Sequence, residues 1–254
     1  MRKGEKTNLK FYNTFAQYHD IMLPVNERLN YAGFLKYYFG NLKGNILDCA
    51  CGTGVHLVFF AKMGFKISGS DISSGMLDQA KKNLKTYGVK SDLKICDFRL
   101  LERKYKKESF DSVVCLGNSL PHLFGKKNVI KALKSMRGIL KKGGKLIISL
   151  RNYDKLISQK KKYDLIDKDD NIFLYIYEYL PNKLVFNIIT GIKDNKKIQF
   201  RTFKTEYNPI LKKDLENYLL EAGFKDILFF GFNEKTKYTL DIKNDDHYFV
   251  VAER

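Results

Sequence analysis

No stretch of the chain approaches the ~18 consecutive apolar residues that a membrane-crossing helix needs, so no such helix is expected. The first residues, Met1-Arg2-Lys3-Gly4-Glu5-Lys6-Thr7, carry charge with no apolar core behind them, which argues against a secretory signal and makes a cytoplasmic location the expectation. Cysteine is sparse. Cys49, Cys51, Cys96 and Cys115 show no paired zinc spacing, and each lies in or just after a predicted core strand, so buried inert thiols and no metal are expected. Arginine is scarcer than the formal charge of +18 suggests, because only 8 of the 46 basic residues are Arg and the other 38 are Lys. Arginine is the side chain suited to bidentate phosphate and base contacts, and the lysines are scattered, so a solvated surface is favoured over a polyanion-binding face. Internal repeats and flexible linkers are also missing. What remains is 254 residues with 44% hydrophobic content, enough for one domain with a substantial core.

The rest of the chain is organised around Asn45-Ile46-Leu47-Asp48-Cys49-Ala50-Cys51-Gly52-Thr53-Gly54. Ile46, Leu47 and Cys49 suit a short strand buried on both faces, and Val55 to Ala61 reads as a helix. A small residue at 50 and glycines at 52 and 54 allow a tight turn and close approach of a ligand to the main chain. The helix start then offers free N–H groups. The loop lacks the Lys-Ser/Thr pair of a phosphate-gripping loop, and it sets an acidic residue where a dinucleotide loop sets its first glycine. Asp48 with Ala50-Cys51-Gly52-Thr53-Gly54 resembles motif I of the class I S-adenosylmethionine-dependent methyltransferases.

The next strands suit that resemblance. Strand two, within Phe65–Ser73, ends in Asp71, 17 positions after Gly54 and placed to accept from ribose hydroxyls. Ile72 flanks it, Ser73 is placed to cap the following helix, and Met76 can pack on an adenine face or in the core. Strand three, Leu93 to Cys96, ends at Asp97-Phe98, where the carboxylate can accept from an adenine amine and the ring can pack beside the base. Asp48, Asp71 and Asp97 thus end three successive strands, and the carboxyl ends of neighbouring parallel strands face one crevice.

Strand four, Phe110 to Leu116, leads into Gly117-Asn118-Ser119-Leu120-Pro121-His122. After a helix at 127–140, the turn Lys141 to Gly144 precedes strand five, Lys145 to Leu150. The alternation predicts an α/β fold, Rossmann-like and doubly wound, with a mostly parallel seven-stranded sheet. Strands expected at 171–180, 184–190 and 198–207 form an inserted antiparallel β-meander, with Phe173, Tyr175, Tyr177 and Tyr179, and Phe200, Thr202 and Lys204, as faces. A helix follows at 212–223, then strands near 225–231 and 247–252. The expected organisation is an N-terminal helical cap over 1–42, split at Pro24, and a cofactor-binding core over 43–151. A β insertion over the substrate pocket (152–208) and a return to the core sheet (209–254) complete it.

Cys115-Leu116-Gly117-Asn118-Ser119 with His122, and Arg151-Asn152-Tyr153-Asp154, extend the likeness. With motif I they resemble the glycine and sarcosine N-methyltransferases and their bacterial relatives. The resemblance implies S-adenosylmethionine as cofactor and a small carboxylated amine as acceptor. It implies that Arg151 holds the substrate carboxylate and Asn118 lies beside the amine. The main chain near Leu116 would receive the methionyl amine, and Tyr18 and Arg28 would approach the methionyl carboxylate. Tyr175, Tyr177 and Tyr207 are the candidate tyrosines around the amine.

The chemistry asks little more. Methyl transfer from a sulfonium is an in-line displacement, so positioning and exclusion of water dominate. A guanidinium at a strand end can grip a carboxylate with two hydrogen bonds. For Asn118 a turn-forming role stays open, for Arg151 a surface ion pair, and for His122 a packing role. An O-methyltransferase, an RNA or protein methyltransferase, and a non-catalytic binder are the alternatives. The tetrad after strand four lacks the Asn/Asp-Pro-Pro-aromatic pattern used on base amines, so nucleic acid is an unfavoured partner.

Overall fold

The computed structural model describes residues 3–22, 25, 33–40, 42–194 and 197–254. Among these, helices α1 (Lys3–Met22) and α2 (Gly33–Phe39) precede the first strand. Then come β1 (Asn45–Asp48), α3 (Val55–Lys62), β2 (Lys66–Asp71), α4 (Ser74–Thr86) and β3 (Asp92–Ile95). Strand β4 (Phe110–Cys115), helix α5 (Lys126–Ile139) and strand β5 (Leu140–Arg151) complete the alternating run. Helix α6 (Tyr153–Gln159) leads to β6 (Tyr163–Lys168), β7 (Asn171–Leu180), β8 (Lys183–Asp194) and β9 (Lys197–Tyr207). Helix α7 (Lys212–Glu221), β10 (Lys225–Phe230) and β11 (His247–Glu253) end the chain.

The main sheet has seven strands in the order β10-β11-β5-β4-β1-β2-β3, parallel from β5 to β3 and antiparallel at β11 and β10. Both faces are covered, which is why the middle of β1 is apolar: Ile46 and Leu47 are fully buried. Leu133, Met136, Leu215 and Leu219 of α5 and α7 pack on one face, and Phe34, Leu57, Phe60 and Leu77 of α2, α3 and α4 on the other. Strand order reverses between β1 and β4, and crevices at such reversals are where doubly wound sheets bind ligands. Among the described residues no helix is long and apolar enough to cross a membrane. All four cysteines are free and buried, and burial raises the thiol pKa of Cys49, Cys51 and Cys96.

Three details differ from the sequence expectation. Lys141 to Gly144 belongs to β5 and is not a separate turn. Phe110 pairs with Leu140 and Ser112 with Lys145, so the four residues bulge out of an otherwise continuous strand, with Gly143 at φ +72° turning the chain back. The inserted sheet has a fourth strand, β6, whose burial alternates only between exposed and half-buried, too shallow a signal to read from sequence. On β9 the inner face is not Phe200, Thr202 and Lys204. The pairings Leu184↔Tyr207, Phe186↔Thr205 and Ile188↔Phe203 turn the odd-numbered residues inward, and Phe200 is 67% exposed.

That inner face packs against α1, where Phe11 and Phe15 meet Phe173, Tyr177, Phe186 and Tyr207. Other side chains of α1 dock on the loops after β1, β2 and β3. Asp20 accepts from Thr53 Oγ1 at 2.7 Å, Asn13 from Ser73 Oγ at 2.7 Å, and Glu5 from Arg99 at 3.1 Å. The helix therefore lies across the carboxyl ends of three strands.

Candidate active site

Beneath α1, a cavity of ≈ 180 Å³ follows the loops after β1 to β4. Its walls include Ala50, Gly52, Asp71, Ile72, Met76, Asp97, Phe98, Leu116 and His122, which were singled out from sequence, and His19, His56 and Arg99, which were not. A second cavity, ≈ 810 Å³, lies between the main sheet and the meander and contains Asn118, Arg151, Tyr175, Tyr177 and Tyr207. Tyr12, His19, His56, Leu116 and Gly117 line both, so the cavities adjoin.

The first cavity is built from main chain and carboxylates. Asp71 accepts from Gly52 N and Ser73 N, both at 2.9 Å, which ties the β2 end to the glycine loop. Burial raises its pKa to about 6, although those N–H donors pull it down; the Asp48 charge adds to the rise. Ser73 caps α4 as its position suggested, with Oγ accepting from Met76 N at 3.1 Å. Asp97 is engaged by its neighbour. Its carboxylate accepts from Arg99 N at 2.9 Å and from the Arg99 guanidinium at 2.6 Å, while the same guanidinium reaches Glu5. An adenine amine there would share Asp97 with an arginine, a partner sequence reading missed although it stands two residues away.

Asp48 does not line the cavity. It lies fully buried behind the loop, with Oδ1 accepting from Ala50 N at 3.2 Å. Oδ2 has no hydrogen-bond partner among the described residues and lies 3.7 Å from His56 Nδ1. Gly54 also stays outside the walls: at φ +82°, its added Cβ would stand 3.1 Å from Ala80 Cβ, so it serves the packing of α4. Tyr18 is on the wrong face of α1. Asn8, Tyr12 and His19 turn toward the first cavity, whereas Tyr18 packs against Phe203 with Arg201 above its ring. Arg28 lies outside the described residues.

The walls fit an adenosyl ligand. Gly52 and Gly117, at φ +52° and +69°, have open space where a Cβ would stand, so a ligand can meet bare main chain on both sides.

In the second cavity, Arg151 Nη1 donates to Tyr177 Oη at 3.1 Å and stands 3.6 Å from Asp164 on β6. Its guanidinium lies over the Phe186 and Tyr177 rings, at 5.2 and 5.8 Å. Tyr177 also donates to Asp164, which pairs with Lys161. Asp164 is held below its usual pKa chiefly by Lys161 and Tyr177, against the opposing effect of burial. Asn118 sits at φ +65°, with Oδ1 accepting from Arg151 N at 3.1 Å and Nδ2 donating to Tyr153 Oη at 2.9 Å. Asn152 caps α6 through Lys155 N, 3.1 Å away. His247, beside Arg151, is driven to a pKa of about 4 by burial first and by the Arg151 charge second.

A family model described as methyltransferase domain matches residues 46–144. The glycine/sarcosine N-methyltransferase of Parasynechococcus marenigrum is 28% identical over 262 residues, covering 100% of this chain and 88% of the relative. The enzyme of the same name from Aphanothece halophytica is 28% identical over 258 residues, covering 100% and 93%. Among solved structures, an S-adenosylmethionine-dependent methyltransferase from Clostridium acetobutylicum superposes with a TM-score of 0.78 at 22% identity, covering 95% of this chain and 98% of the other.

Proposed function

We propose that this chain, an S-adenosylmethionine-dependent methyltransferase, methylates the nitrogen of a small carboxylated amine of the glycine or sarcosine kind. The observation that carries the reading is Arg151, placed with Tyr175, Tyr177 and Tyr207 in a cavity adjoining the cofactor cavity. The names of the two full-length relatives support the same acceptor class.

S-adenosylmethionine, when bound, supplies a methyl group on a sulfonium that departs as a neutral thioether. Asp71 would hold the ribose, Gly52 and Leu116 would offer main chain, and Asp97 with Phe98 would meet the base. Arg151 would take the acceptor carboxylate in a two-pronged hydrogen bond, which sets the amine at a fixed distance from the seam between the cavities. The amine must be neutral to attack. A free amino-acid amine is largely protonated at physiological pH, so the site must take up its neutral form or let the proton leave to solvent before the transfer. Helix α1 and the inserted sheet exclude water and hold the pair in line.

Calorimetric titration with S-adenosylmethionine, followed by mass spectrometry of products from a panel of amino acids, amines and hydroxy acids, tests the reading. Methylated glycine or sarcosine is the expected product. Methyl transfer to hydroxy acids alone would replace the N-acceptor with an O-acceptor, and turnover only of protein or RNA would sink the small-molecule reading.

A further inference from the structure

Between the two cavities runs a buried chain of polar groups whose direction is determined. Asn8 pairs with the main chain of Glu206 both ways: Nδ2 donates to the carbonyl at 2.7 Å, and Oδ1 accepts from the N–H at 2.8 Å. Thr205 Oγ1 adds a bond to the same Oδ1 at 3.1 Å. A flipped amide would set donor against donor and acceptor against acceptor, so only this orientation is possible. The second N–H of Asn8 then points at His122 Nδ1, 2.9 Å away, which must accept. Nδ1 is also 3.3 Å from the Glu206 carbonyl, but a hydrogen on Nδ1 would face the second Asn8 N–H only 2.9 Å away, donor against donor. A neutral imidazole carries one hydrogen, so it sits on Nε2, 2.8 Å from Tyr12 Oη. Tyr12 accepts there, and its own hydrogen is turned away, toward the neighbouring Tyr207 hydroxyl and the second cavity.

We propose that His122 is a positioning residue for the methyl acceptor: held as the Nε2–H tautomer by Asn8, it turns the Tyr12 hydroxyl hydrogen onto Tyr207, which leaves the Tyr207 hydroxyl hydrogen to meet an oxygen of the acceptor in the second cavity. This rests on the carboxylated-amine reading. A donor aimed at the acceptor's oxygen adds to the grip of Arg151 and leaves the nitrogen lone pair free for the methyl. The rings of Tyr12 and Tyr207 enclose the imidazole, with centroids at 5.1 and 4.5 Å. Burial drives the His122 pKa down to about 4, so the ring is neutral at neutral pH and can hold one tautomer.

Nitrogen-15 spectroscopy of histidine-labelled full-length protein reads the tautomer directly, with or without substrate. A neutral Nε2–H ring throughout about pH 5.5 to 8 is expected; an Nδ1–H tautomer, or protonation near the ordinary histidine pKa of ~6.5, would overturn the proposal. Kinetics supply the second readout. His122→Gln keeps an N–H near the Nε2 position and should hold acceptor kcat/KM within about 3-fold, whereas His122→Leu should lower it about tenfold, a larger loss than any it causes in donor affinity through the wall that His122 shares with the cofactor cavity. Equal loss in both variants, or none in His122→Leu, would also overturn it. If no carboxylated amine is turned over at all, the function reading fails while the tautomer and donor titration still judge the polarity of the chain.

Discussion

Asn118 Oδ1 accepts a hydrogen bond from the main-chain N–H of Arg151 at 3.1 Å, which locks the loop after β4 to the end of β5. The two residues proposed to face the acceptor are thus held by each other. Tyr153, next in the chain after Asn152 and fully buried, braces the same amide from behind.

Replacing Arg151 with Ala should raise the KM for the acceptor about 10- to 100-fold, the loss expected of a hydrogen bond to a charged group. Donor affinity should hold within about twofold, because Arg151 does not line the cofactor cavity. Calorimetry on the variant checks the division; a collapse of donor binding would move Arg151 to the cofactor's side.

If Asp71 holds the ribose as proposed, cofactor binding should depend on pH. Its pKa of about 6 in the folded protein lies above the ordinary carboxyl value, so the proton binds the folded state more tightly than the unfolded one. Its contribution to stability is therefore full below about pH 4 and is lost as the pH rises through about 6. Ribose hydroxyls donate to the ionised form, so donor affinity should weaken as pH falls below about 6. Titrations in a pH series should show that slope in the native chain and lose it in Asp71→Asn; a slope that survives the substitution would assign it to another group.

Gly52 and Gly54 should separate on substitution. Gly54→Ala adds a Cβ only 3.1 Å from Ala80 Cβ at φ +82°, so the melting temperature should drop clearly. Gly52→Ala, at φ +52° with open space before it, should cost about 1 kcal/mol of stability but weaken the donor more than Gly54→Ala does. Paired thermal melts and donor titrations decide it, and equal donor loss in the two would deny Gly52 its contact.

Ser73→Ala removes a helix cap and the donor to Asn13 together. A loss of about 1–2 kcal/mol in chemical denaturation is expected. A loss near zero would mean that neither bond is maintained in solution.

Much of this was legible in the chain. Asp48, Gly52 and Asp71 could be placed because a strand, a tight turn and a helix start follow one another within a few residues, and local spacing alone sets their order. Asp97 was located in the same way, but its arginine partner was not, because nothing in Asp97-Phe98-Arg99 says whether the side chain folds back. Tyr18 was misjudged because a helix repeats every 3.6 residues, and a single aromatic does not reveal which face meets the cavity. The β9 faces inverted for a similar reason: alternation marks two faces, and only pairing with β8 decides which is buried.

Sequence by itself determined the doubly wound sheet, the glycine loop and the carboxylates at the strand ends, because strand and helix periodicities act over short distances. Tertiary structure decided how Asn8, His122, Tyr12 and Tyr207 meet, and how Arg151 comes to lie under β6 and β7. Those contacts join residues up to 198 positions apart. No local preference encodes such pairings; they follow from burying the apolar faces of α1 and the inserted sheet against each other.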